Sequence, residues 1–129
     1  VKVLLVEDQP LNQELARELL ARAGASVTIA HDGHEALSTL EQQPDFDCVL
    51  MDCQMPRMDG YTATQRIRND ARFRHLPVIA MTASALASDR EHAISAGMND
   101  HVPKPLDVQQ LYQVLARWVA VSRQARATA

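Results

Sequence analysis

The stretch VLMDCQMPRMDG, residues 49–60, passes from an unbroken apolar segment through an acid into a turn, then to Asp59-Gly60, a pair suited to opening a helix. An apolar run without polar alternation reads as a strand covered on both faces, the situation of a parallel sheet. An ionised carboxylate at the end of such a strand costs folding energy unless water reaches it or something binds it. Asp52 therefore raises the question of fold and the question of function together.

The same pattern recurs on either side. Apolar runs rich in β-branched residues stand at VKVLLV (1–6), VTIA (27–30), CVLM (48–51), PVIAM (77–81) and, more weakly, HV (101–102). Helical patterns separate them. The first should carry Leu11, Leu15, Leu19 and Leu20 on one face and stop at Gly24. Asp32-Gly33 opens a second helix with Ala36, Leu37 and Leu40, and Asp59-Gly60 a third with Tyr61, Ala63, Thr64 and Ile67. A fourth is expected from about Leu86 to Ala96, ending at Gly97, and a fifth from Asp107 with Leu111, Val114, Leu115 and Trp118. Strand and helix alternate, so the expected fold class is α/β: a doubly wound five-stranded parallel sheet with five helices on its two faces, joined by right-handed crossovers. The domain of this pattern is residues 1–121; SRQARATA (122–129) is small and polar and reads as a fraying tail or linker.

Composition narrows the function. A length of 129 residues allows one domain, and 47% apolar with 22% charged residues describes a soluble globular chain. A net charge of -3 without a basic stripe argues against nucleic acid. No apolar run reaches the roughly twenty residues that span a bilayer, and VKVLLVED lacks the features of a signal peptide, so a cytoplasmic location without direct membrane contact is expected. The missing initiator Met suggests a piece of a longer chain. Cys48 and Cys53 share one extended segment, roughly 16 Å apart at strand spacing, which is too far for a disulfide. His31 and His34 lack a nearby acid or Cys at zinc-ligand spacing and read as surface residues.

Strongly polar residues interrupt the apolar runs at their downstream ends: Glu7 and Asp8, Asp52, Thr82 and Lys104. In a parallel sheet those ends share one edge, and with strand order 2-1-3-4-5 the ligand crevice opens between strands one and three, which carry the three acids. Carboxylates about 4 Å apart repel by ~4 kcal/mol per pair at an effective dielectric near 20, so they protonate or acquire a cation. A hard divalent ion such as Mg²⁺ suits oxygen ligands and leaves room for phosphate oxygens. Lys104, one of two Lys against eleven Arg, supplies a compact charge, and Thr82 a hydroxyl donor. The set reads as phosphoryl transfer, with Asp52 as nucleophile and Glu7 and Asp8 better placed to hold metal.

With these residues assembled, the chain resembles a two-component receiver domain over about residues 1–121, and is most similar to the receivers of hybrid sensor histidine kinases. VEDQPLNQ (6–13), MDCQMPRMDGYTAT (51–64), MTASAL (81–86) and AGMNDHVPKP (96–105) carry the resemblance. It implies a flavodoxin-like fold, Glu7 and Asp8 as the acid pair for Mg²⁺ (with Mn²⁺ as a substitute), Asp52 as phosphoacceptor, the Gln54 backbone carbonyl as a further metal ligand, Thr82 as switch hydroxyl and Lys104 as phosphate contact. It also implies a cis bond before Pro105. The partners implied are a histidine kinase domain and a histidine phosphotransfer protein, docking on Pro10, Leu11, Gln13, Glu14, Pro105 and Leu106, in a parent chain that can be membrane-anchored. His101 stands where the family commonly has Tyr or Phe as a switch residue, and Gln54 and Ser84 stand where they can tune the lifetime of the acyl phosphate. Three alternatives compete: a stand-alone response regulator, a receiver that binds partners without phosphorylation, and an aspartyl phosphatase. The phosphatase commonly needs an acid two residues after its nucleophile, where this chain has Gln54.

Overall fold

The computed structural model describes residues 1–53, 55, 58–82, 87–104 and 106–128. Strands β1 (Lys2–Val6), β2 (Ser26–Ala30), β3 (Cys48–Asp52), β4 (Val78–Thr82) and β5 (Asp100–Pro103) alternate with helices α1 (Pro10–Arg22), α2 (Gly33–Gln42), α3 (Gly60–Arg68), α4 (Ala87–Ala96) and α5 (Val108–Thr128). The strands form one parallel sheet in the order β2-β1-β3-β4-β5, the doubly wound α/β arrangement read from the sequence.

Two cores explain why the strands do not alternate. Leu4, Val6, Val49, Met51, Val78 and Ala80 face α2, α3 and α4 through Leu40, Ala63, Ile67 and Ala93. Val3, Leu5, Leu50, Ile79, Met81 and Val102 face α1 and α5 through Leu19, Leu20, Leu111 and Leu115. Each successive strand residue is apolar because each pleat meets a different helical layer. Gly24 and Gly97, with φ of 83° and 103°, end α1 and α4 in a conformation that disfavours a side chain. The Asp32 and Asp59 carboxylates cap α2 and α3 by accepting from the Glu35 and Thr62 amides.

Two expectations need correction. The inward stripe of α1 is Gln13, Ala16, Leu19 and Leu20, whereas Leu15 is 45% and Leu11 81% exposed. Steps of four residues advance about 40° beyond a full turn, so Leu15 and then Leu11 rotate out of the interface that Leu19 occupies. The segment after residue 121 is helical as far as Thr128, not frayed. Ser122 is buried, Arg123 Nε lies 3.4 Å from Asp47 Oδ1, and the Ala, Arg and Gln content favours helix. His31 and His34 are exposed as expected, and Cys48 and Cys53 are free and buried, burial pushing the Cys48 thiol well up.

Candidate functional site

The β1 ladder runs one step past the strand, where the Glu7 amide donates to the Ala30 carbonyl at 3.1 Å. This brings Glu7 to the carboxyl edge of the sheet with its side chain 1% exposed. Asp52 closes β3, the strand directly beside β1, in the same crevice, 4% exposed, and Asp8 sits half-buried beside them. One ligand oxygen from each of Glu7, Asp8 and Asp52 lies within 4.8 Å of the others. Three acids separated by up to 45 residues in sequence thus meet at the point where strand order reverses, between β1 and β3.

Lys104 closes the crevice from the far side. Its backbone amide donates to the carbonyl of Thr82, the last residue of β4, at 2.7 Å, so the strand that ends on Thr82 also holds the lysine. Its ammonium donates to Glu7 Oε1 at 2.9 Å and lies 3.3 Å from Asp52 Oδ1. Burial alone would lower the ammonium's pKa, but its hydrogen bond to Glu7 and the charge of Asp52 outweigh it and raise the value above that of an ordinary lysine. Burial would likewise raise the Glu7 carboxyl; its hydrogen bonds with Asp52, Lys104 and Asn12 overcome this and hold it below the ordinary range. Glu7 Oε2 also accepts from the Asp8 amide at 3.0 Å. Oxygen donors, partial neutralisation by one ammonium and a shared opening fit a small hard cation flanked by an anionic ligand.

The remaining expected residues divide. Thr82 is buried at the end of β4. His101 lies on β5 in register with Ala80, and its amide donates to Asp100 Oδ1 at 2.8 Å; its ring Nδ1 is 3.8 Å from the same oxygen. Its ring therefore lines the groove between α4 and α5, with Arg90 and Trp118, and not the acid cluster. Pro10, Leu11 and Glu14 form an exposed face on the first turn of α1, and Leu106 is half-buried near Lys104. Gln13 does not belong to that face: it is buried, and its side-chain amide donates to the Glu7 carbonyl at 2.6 Å. A polar residue on a helix read as exposed, yet its spacing from Ala16 and Leu20 puts it on the inward stripe. Gln54, Ser84 and Pro105 lie outside the described residues.

One residue in the site has a role that the sequence reading passed over. A Cβ on Gly60 would overlap the carbonyl of Asp52, so the helix start that follows the acid packs directly on its backbone. The family model of the response regulator receiver domain matches residues 3–116.

The chain belongs to this receiver family. The receiver is 40% identical over 124 residues to sensor histidine kinase GacS of Pseudomonas protegens, an alignment that covers 94% of this chain and 13% of the kinase. It is 39% identical over 116 residues to histidine-protein kinase BarA of Escherichia coli, covering 90% of this chain and 12% of BarA. The receiver therefore spans about an eighth of the length of these relatives. Among solved structures, it superimposes with a TM-score of 0.85 on the receiver domain of a sensor histidine kinase from Pseudomonas aeruginosa, at 44% identity over 92% of this chain and 97% of that one. That receiver is described with a magnesium ion coordinated in its active site cleft. A TM-score of 0.84, at 26% identity over 93% and 89% of the two chains, relates it to the Saccharomyces cerevisiae co-crystal of the histidine phosphotransfer protein Ypd1 with the receiver domain of Ssk1. The expectation of a receiver of phosphorelay signalling, related to those of hybrid histidine kinases, is thereby met.

Proposed function

We propose that this receiver takes a phosphoryl group from a phosphohistidine onto Asp52 in a step that needs Mg²⁺, or Mn²⁺ in its place, within a hybrid sensor histidine kinase. The observation that carries the reading is the meeting of Glu7, Asp8 and Asp52 with the Lys104 ammonium in one crevice. Glu7, Asp8 and Asp52 would hold the ion, joined by the Gln54 carbonyl if the family pattern extends to it. The ion supplies charge neutralisation and alignment of the phosphoryl oxygens.

The chain's own groups do the rest. An Asp52 carboxylate oxygen attacks phosphorus; the O–P bond forms as the P–N bond breaks, and the departing imidazole nitrogen keeps that bond's electron pair. Lys104 exchanges its contact with Asp52 for a phosphoryl oxygen, and the Thr82 hydroxyl donates to another. Through the Lys104 amide bond to the Thr82 carbonyl, movement at one is felt at the other, and His101 on the adjoining strand carries the switch toward the groove between α4 and α5.

The donor or acceptor is a histidine kinase domain or a histidine phosphotransfer protein, docking on Pro10, Leu11, Glu14, Pro105 and Leu106. Leu11, the most exposed large apolar side chain among the described residues, supplies the apolar anchor. The receiver acts on the cytoplasmic side and turns over no external phosphate esters. Among the described residues, no helix is long and apolar enough to cross a membrane, so anchorage would belong to other parts of the parent.

Incubation with a small phosphodonor and Mg²⁺ is expected to label the wild type and leave Asp52→Asn unlabelled. Equal labelling of the two would reject the reading.

A further inference from the structure

We infer that Gln13 is a positioning residue for the acid pair: from the buried side of α1 it fixes the backbone between Glu7 and Asp8, and so sets how well the cluster accepts a divalent cation. This rests on the reading of Glu7, Asp8 and Asp52 as cation ligands.

The argument begins where β1 stops. Strand β2 ends at Ala30, whose carbonyl accepts from the Glu7 amide, so the ladder offers no further β2 residue beyond that bond. The Glu7 carbonyl lies past the regular sheet in a buried place, where an unpaired oxygen is costly. Gln13 fills that need with a hydrogen bond of 2.6 Å while itself only 9% exposed. The next residue back, Asn12, contributes a side-chain hydrogen bond to the Glu7 carboxylate. One turn of α1 therefore grips Glu7 twice, at its carbonyl and at its carboxylate.

The consequence reaches both acids. The Glu7 carbonyl and the Asp8 amide belong to the same peptide plane, so holding one holds the other. That amide donates to Glu7 Oε2 at 3.0 Å and orients the carboxylate that meets Lys104. A glutamine donor in the helix thus holds the peptide from which Asp8 springs and, through its amide, the Glu7 carboxylate. Groups one step behind metal ligands typically change affinity by about 10- to 100-fold when removed.

The test uses Gln13→Met, which keeps length and bulk but cannot donate. In the metal-free protein, hydrogen exchange at the Asp8 amide is expected to quicken by about tenfold or more, with exchange in β3 and β4 unchanged. Mg²⁺ titrated into ¹⁵N-labelled protein, followed at the Asp8 amide, is expected to give a Kd about tenfold weaker than wild type. A role confined to packing would lower the melting temperature and leave both readouts alone. Should Gln13→Met not fold, Asn12→Ala tests the second grip through the same titration. Wild-type affinity in the folded variant would overturn the inference while leaving the cation reading intact; no Mg²⁺ response in the wild type would overturn both.

Discussion

Lys104 Nζ stands 2.9 Å from Glu7 Oε1 and 3.3 Å from Asp52 Oδ1, so a single ammonium holds two buried carboxylates together. Replacing it by Lys104→Met leaves both acids without that charge. We expect the metal-free protein to lose on the order of 2 kcal/mol, the scale of a hydrogen bond between charged groups. Removing a cation from beside the acids should also tighten Mg²⁺ binding several-fold. Thermal melts with and without Mg²⁺ check this: the variant should melt lower without the ion and gain more from it than the wild type does.

Acid should act through Glu7. Its folded pKa lies below the ordinary glutamate value, so its contribution to stability is present above that value and is lost as pH falls through the folded pKa. Lys104 is shifted the other way, and its contribution is full below the ordinary lysine value and lost only as pH rises through its raised pKa. The contact is therefore intact between about pH 4.3 and pH 10.4. Urea melts from pH 7 to pH 3 should show a steeper loss of stability in the metal-free wild type than in Glu7→Gln. Parallel curves would count against this assignment.

Gly60 has no room for a side chain against the Asp52 carbonyl. Gly60→Ala should push the end of β3 away from the start of α3, costing about 1–3 kcal/mol as overpacking does. Because the displaced backbone is that of Asp52, labelling by a small phosphodonor should fall more than it does in Asp59→Ala. That second variant removes a helix cap worth about 1 kcal/mol and leaves Asp52 in place. Comparing labelling at equal folded fraction separates the two.

Arg68 ties the opposite edge of the sheet. Its guanidinium donates to the carbonyls of Gly97, Phe73 and Leu76 at 2.7–2.9 Å and to Asn99 Oδ1 at 2.7 Å. Arg68→Met removes four hydrogen bonds at once and should cost about 3 kcal/mol in urea denaturation. Mg²⁺ affinity should stay at the wild-type value, since none of these contacts belongs to the acid cluster.

The residues differ in how openly their sequence declares them. Asp52, Glu7 and Lys104 were legible because each breaks an apolar run at its downstream end, and a parallel sheet gathers such ends on one edge. The α1 leucines misled: their four-residue spacing looks like one face, yet it drifts away from the core by Leu11. Gln13 was hidden because polarity suggested solvent, and only the end of β2 reveals a carbonyl in need of a donor. Gly60 and Arg68 answer to backbone atoms from other segments, which leave no periodic trace in the chain. Beyond residue 121 the small polar residues suggested a loose tail, although their Ala, Arg and Gln content is helix-compatible and Arg123 reaches Asp47, 76 positions away.

Among the described residues, the Arg68 clasp is built on carbonyl and amide oxygens with no carboxylate in it. Such oxygens take up no protons in the acid range where Glu7 does. Acid would consequently loosen the contact that Glu7 makes and leave the Arg68 clasp with its full set of acceptors.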